Sequence, residues 1–212
     1  MFHYKTLEEL NQEIAAQNLS IPFGNEAVLR EAVTVGGRTI PNRIAIQPME
    51  GCDGTADGKP DELTLRRYDK FAASGSGLIW EEATAVWEEG RANPRQLWIK
   101  EENLDAFRAM NDRIREISMQ KHGFAPVIIM QATHSGRYSK PQGVPAPLIA
   151  YNNPLFEKDA PIASDRIVTD DYLHRLTERM GEAARLAEKA GFDGVDIKSC
   201  HRYLGSELLS AY

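Results

Sequence analysis

The chain has 212 residues, 42% hydrophobic and 26% charged, with a formal charge of −6; that is enough for one sizeable core and is an ordinary globular composition. The acidic balance and scattered Lys and Arg argue against a nucleic-acid partner, and a polar N-terminus with no long apolar run argues against a signal peptide or a membrane span. Cys52 and Cys200 stand far apart with no CxxC spacing, so neither a disulfide framework nor a metal site is indicated, and a cytoplasmic protein fits best.

In chain order, Leu7–Gln17 reads as a short amphipathic helix, with Leu7, Leu10, Ile14 and Ala15 near one face. Ala32–Arg43 reads as a hairpin turning at Gly36-Gly37. From Asn42 onward strands and helices alternate. Arg43–Gln47 is a short strand stopped by Pro48, and Glu62–Ala73 a helix closed by Ser74-Gly75-Ser76-Gly77. Leu78–Val86 is the second strand and Asn103–Lys121 a long helix closed by His122-Gly123. Pro126–Gln131 is the third strand. A Pro-rich loop, Thr133–Ser164, exceeds ordinary connection lengths and reads as functional. Thr169 or Asp170 caps a helix to about Ala190, and Gly194–Lys198 is the fourth strand.

Strands of continuous apolar residues alternating with helices imply a parallel sheet covered by helices. No GxGxxG follows the first strand, which disfavours a dinucleotide-binding open sheet. The alternative is an α/β (β/α)8 TIM barrel, which needs roughly 250 residues. The four βα units here then form about the first half of one, preceded by an N-terminal helix and hairpin (1–41). No linker or second domain is visible across 1–212.

In such a barrel the reactive groups come from the C-terminal strand ends. There the sequence carries Pro48-Met49-Glu50, then Glu81 to Thr84, then Gln131 to Arg137, then Lys198 to Tyr203. Several have bland alternatives. At least one of Glu81 and Glu82 is expected at a solvated strand end or against Arg66 or Arg67. His134 is as readily a loop hydrogen-bonder as a catalyst. Arg91 reads as a loop anchor, Trp80, Trp87 and Trp98 as packing, and both cysteines as small buried groups. Gln131, ending an apolar strand, must find partners and offers paired donor and acceptor to a heterocycle edge. Lys198, His201 and Tyr203 read as functional, because buried Lys is rare without purpose.

The segments NRIAIQPM (Asn42–Met49), GLIWEEATAV (Gly77–Val86), GRANPRQLWI (Gly90–Ile99), QATHSGR (Gln131–Arg137) and AGFDGVDIKSCHRYL (Ala190–Leu204) resemble, in order, the first half of the old yellow enzyme family of NADH:flavin oxidoreductases. The resemblance implies a TIM barrel with FMN across its C-terminal mouth and NADH or NADPH as reductant. Pro48 and Met49 would line the flavin, beside Glu50. Ala83 would pack near its polar edge, and Gln131 would bond its pyrimidine ring. Lys198 and His201 would grip the electron-withdrawing oxygen of a small-molecule alkene, and Tyr203 would supply a proton.

Two positions depart from the family pattern. The first gripping position is usually His or Asn and is Lys198 here; the residue after Pro-Met is commonly Thr or Cys and is Glu50 here. A lysine cation would hold a carbonyl or carboxylate more strongly. An acid beside the ring would disfavour an anionic reduced flavin unless it points away or is paired with Lys198. In the family's barrel type, the phosphate site is usually built from the loops after strands seven and eight, so an N-terminal fragment of the enzyme is expected. The alternative is a non-catalytic half-barrel that associates with a partner chain or with itself.

Overall fold

A computed structural model describes residues 3–21, 24 and 26–211. Within the turn-rich stretch after the first helix, positions 22, 23 and 25 lie outside the described residues. Helix α1 (Leu7–Ala16) starts at Thr6, whose hydroxyl accepts from the Glu9 amide, but it buries none of its residues. The hairpin forms as expected: β1 (Val33–Val35) pairs antiparallel with β2 (Arg38–Ile40). Both turn glycines have positive φ, 58° and 79°, as a two-residue turn matched to strand twist requires. Arg38 then ties the hairpin to the barrel floor through Asp193 (2.7 Å).

Four parallel strands follow in the order β3 (Ala45–Ile46), β4 (Leu78–Ala85), β5 (Val127–Thr133) and β6 (Gly194–Ile197). Helices α2 (Glu62–Ala72), α3 (Leu104–His122) and α4 (Asp170–Lys189) connect them. Each helix boundary has a local cause. Asp61 caps α2, Gly123 ends α3 in the left-handed region (φ 76°), and the Thr169 hydroxyl accepts from the Tyr172 amide at the start of α4. The first strand is shorter than expected, two residues instead of five. Beyond β6 the chain turns into a short helix, α5 (Leu204–Leu209).

One sheet face packs on the helices. Ile79, Ile128, Met130 and Ala132 meet Tyr68 of α2, Phe107 and Ile114 of α3, and Leu186 of α4, all buried. The opposite face would be the barrel interior. The end strands β3 and β6 each pair on one side only.

β4 is irregular where it matters. Trp80 pairs with Ile129, yet Ala83 pairs with Gln131, so β4 carries one extra residue between those pairs. A bulge of this kind reverses which residues face inward. Here it places Ala83 on the same face as Trp80 and Gln131. The amide freed at Glu82 donates to the buried Tyr68 hydroxyl (2.8 Å).

Candidate active site at the C-terminal strand ends

The strand register brings Ala83, Gln131 and Asp196 to the interior face near the C-terminal ends, and Lys198 follows one residue past β6, its amide donating to the Ala132 carbonyl (2.9 Å). Gln131 Nε2 donates to Asp196 Oδ2 (2.8 Å), which fixes the amide and leaves Oε1 as an acceptor. Pro48 is half-buried and Met49 is 73% exposed.

The loop after β3 is clamped from behind. Arg67 Nη2 donates to Asp53 Oδ1 and to Glu82 Oε1, both at 2.8 Å, and Nη1 reaches the Met49 carbonyl (3.3 Å). Glu82 Oε2 accepts from the Gly51 amide (2.8 Å). Gly51 permits this approach, because a Cβ there would collide with the Arg67 guanidinium. Arg67 is therefore the expected partner of one acid. The solvated reading of Glu81 and Glu82 is corrected: the bulge buries both.

Glu81 differs from its neighbour. It is fully buried, and neither oxygen has a hydrogen-bond partner among the described residues. Burial, and then the Glu82 charge, push its carboxyl well above the ordinary range, which favours the protonated acid. A proton bound more tightly in the folded state stabilises below the ordinary carboxylate range. That contribution is lost as pH rises toward the raised native value. Glu81→Gln should stay within about 1 kcal/mol of wild type at pH 5 and gain relative stability at pH 8–9. Urea unfolding at the two pH values tests this; equal differences at both would show that Glu81 is ionised.

After β6 the chain makes a sharp corner. His201 and Arg202 both have positive φ, 57° and 59°, a conformation that costs of order 1–3 kcal/mol per residue. The corner leaves His201 exposed and turns Tyr203 inward, buried, with the two rings edge to face at 6.2 Å. Lys198 is 6% exposed. Its Nζ lies 4.4 Å from the Tyr203 ring centroid and 3.7 Å from Glu50 Oε1. Tyr203 Oη donates to Glu50 Oε2 at 3.4 Å.

Of the two departures from the family pattern, then, one answers the other: Glu50 pairs with Lys198. Burial raises the Glu50 carboxyl, and Lys198 first, then Tyr203 and His201, pull it back. Burial raises the Tyr203 phenol, and Glu50 raises it further.

The remaining expected residues sort cleanly. Arg91 is a loop anchor, donating to the carbonyls of Ala56, Pro94 and Gln96. Trp87 stacks on Tyr172 (5.0 Å), and Trp98 carries Lys100 over its ring (4.2 Å). His134 Nε2 meets the Tyr172 hydroxyl (2.8 Å) and its Nδ1 accepts from the Gly136 amide. Burial lowers its pKa to about 4, so it is a neutral structural group. Cys52 and Cys200 are exposed, not buried; both sit in loops at the strand mouth, and Cys52 turns outward at φ 52°. Gln96 was not singled out from sequence, although it lies in the GRANPRQLW segment and proves nearly inaccessible.

No group of potential metal ligands occurs among the described residues, and no described helix is long and apolar enough to cross a membrane.

A parallel β/α half-barrel with polar groups gathered at the C-terminal strand ends defines a TIM-barrel enzyme site. The comparisons narrow that class. Residues 29–212 match the NADH:flavin oxidoreductase / NADH oxidase family, and the chain belongs to it. It is an oxidoreductase family that uses FMN with NAD(P)H as reductant. An NADPH dehydrogenase of Geobacillus sp. (strain WCH70) is 34% identical over 87% of this chain and 52% of its own length. One of Geobacillus thermodenitrificans is 32% identical over 86% and 51%. The structure of the old yellow enzyme homologue from Zymomonas mobilis superposes with a TM-score of 0.67 at 28% identity, covering 83% of this chain and 49% of that one. The chain spans about half the length of the curated relatives it matches, and its four strands are the N-terminal part of their barrel.

Proposed function

We propose that this chain carries the acceptor-gripping half of an FMN-dependent oxidoreductase that moves reducing equivalents from NAD(P)H to a carbonyl-activated alkene. The observation that carries the reading is the convergence of Lys198 and Tyr203 above the interior face that Ala83 and Gln131 share.

The residues fit the cofactor. Ala83 is small where a ring must approach, Gln131 Oε1 suits a ring N–H, and the exposed Met49 lies where the Pro-Met segment would line the flavin. The Glu50–Lys198 pair offsets the charge an acid would otherwise set beside the ring. FMN, when bound, supplies hydride transfer. The protein supplies the rest. Lys198 and His201 hold the acceptor oxygen and offset the charge that builds on it. Tyr203 Oη gives its proton to the carbon next to the carbonyl.

The test is flavin content: purify the natural gene product, record its visible absorbance, and assay FMN released on denaturation. A yellow protein bleached anaerobically by NADPH and recoloured by an enone is expected. A protein that neither binds FMN nor oxidises NADPH would overturn the reading.

A further inference from the structure

Lys198, His201 and Tyr203 have tasks in the proposed reaction, but the acid among them has none. Glu50 is held on three sides. Gln96 Nε2 donates to its Oε1 (3.0 Å), Lys198 Nζ lies 3.7 Å from that same oxygen, and Tyr203 Oη donates to Oε2. Gln96 is itself fixed: its Nε2 also donates to the Ala83 carbonyl (2.9 Å), and its Oε1 accepts from the Ala92 amide (2.6 Å). A chain of polar contacts thus crosses the barrel mouth, from the end of β4 through the loop after β3 to the two groups after β6.

Lys198 is the reason this carboxylate is needed. The Lys198 side chain is largely buried, and its ammonium makes no hydrogen bond within 3.5 Å among the described residues; Glu50 is its one ion-pair partner there. A buried cation without a counter-charge is costly. The ammonium also retains N–H groups free to meet a ligand.

We infer that Glu50 is a positioning residue that fixes Tyr203 and neutralises Lys198, so that the site takes an acceptor activated by an uncharged carbonyl and disfavours one bearing a carboxylate. A neutral carbonyl oxygen accepts from Lys198 without disturbing the pair. A carboxylate at the same place sets a second anion against Glu50, whose side chain is only 19% exposed, and like charges so placed repel strongly. The inference rests on the proposed reaction only for the word acceptor; the contacts and the charge balance stand without it.

The test uses two readouts that involve no hydride transfer, in wild type, E50Q and E50D. The first is the ¹⁹F titration midpoint of 3-fluorotyrosine placed at position 203. The second is the dissociation constants of 4-fluorobenzamide and 4-fluorobenzoate, matched in shape and different in charge. In E50Q the phenol midpoint should fall by about one unit, tenfold in acid constant. Benzoate should bind at least tenfold more tightly than to wild type, with benzamide changed less than twofold. E50D should keep the wild-type preference for the amide. An unmoved midpoint, absent benzoate binding to E50Q, or equal changes for both ligands would overturn the inference. A protein that takes up no FMN yet shows both shifts would sink the redox reading and leave the role of Glu50 intact.

Discussion

Tyr203→Phe is expected to slow acceptor reduction 10²- to 10³-fold, in the range a positioned general acid contributes, while leaving reduction of bound flavin by NADPH nearly unchanged. In the proposed reaction the two half-reactions use different parts of the site: hydride arriving from NADPH would need no proton from Tyr203, whereas the carbon beside the acceptor carbonyl would. The substitution is also clean. Phe keeps the ring under Lys198 Nζ and the tilted contact with Tyr138 (ring centroids 5.9 Å apart). The Oη contacts to Glu50 and Ser135 are lost, and Glu50 keeps Gln96 and Lys198. Loss of stability should stay near 1 kcal/mol. Anaerobic stopped-flow traces of flavin absorbance separate the half-reactions. Equal slowing of both would mean that Tyr203 shapes the pocket and donates no proton.

What could be read from the sequence, and what could not, follows the range of the interactions. Helix and strand positions are set by local patterns: apolar runs, the Thr169 cap, the αL glycine at 123, the Gly36-Gly37 turn. These came through with ends displaced by a few residues. The Glu50–Lys198 pairing could be framed only as a condition, because 148 positions separate the partners and only the parallel register of four strands brings them together. The β4 bulge left no readable mark. Nothing in the run GLIWEEATAV says that one residue is extra, so a solvated strand end stood open for these acids beside the Arg67 pairing that Glu82 makes. The cysteines failed for the converse reason. Apolar character favours burial on average, but a loop corner at positive φ turned Cys52 outward.

Arg137→Met is expected to cost about 3–5 kcal/mol, the penalty for removing one partner from a buried ionic group, and to lower the unfolding temperature by on the order of 10 °C for a chain of this size. Arg137 follows β5 and forms buried ion pairs with Glu157 of the long loop and Glu207 of α5. Those acids tie down the loop in turn. Glu157 Oε2 accepts from the Asn153 amide (2.7 Å) and Glu207 Oε2 from the Ala150 amide (3.2 Å). Phe156 lies under both Arg137 and Arg202 (4.9 and 4.7 Å), so the loop is fastened to the corner that presents Tyr203. Without Arg137, two carboxylates share a dry pocket with no cation between them. Burial already raises the Glu207 carboxyl, with the Ala150 amide and Arg137 pulling it back, so removing the guanidinium raises it further. A raised carboxyl stabilises at low pH and loses that contribution as pH climbs through its native value. The variant should therefore recover toward wild type as pH falls from 7 to 5, and limited proteolysis at pH 7 should cut first between residues 140 and 163. A pH-independent deficit, or cleavage spread evenly along the chain, would show that Arg137 acts through packing alone. The same variant connects fold to chemistry: if the loop holds the corner, acceptor reduction should weaken in step with loop cleavage, because His201 and Tyr203 are presented by the backbone that Arg137 anchors.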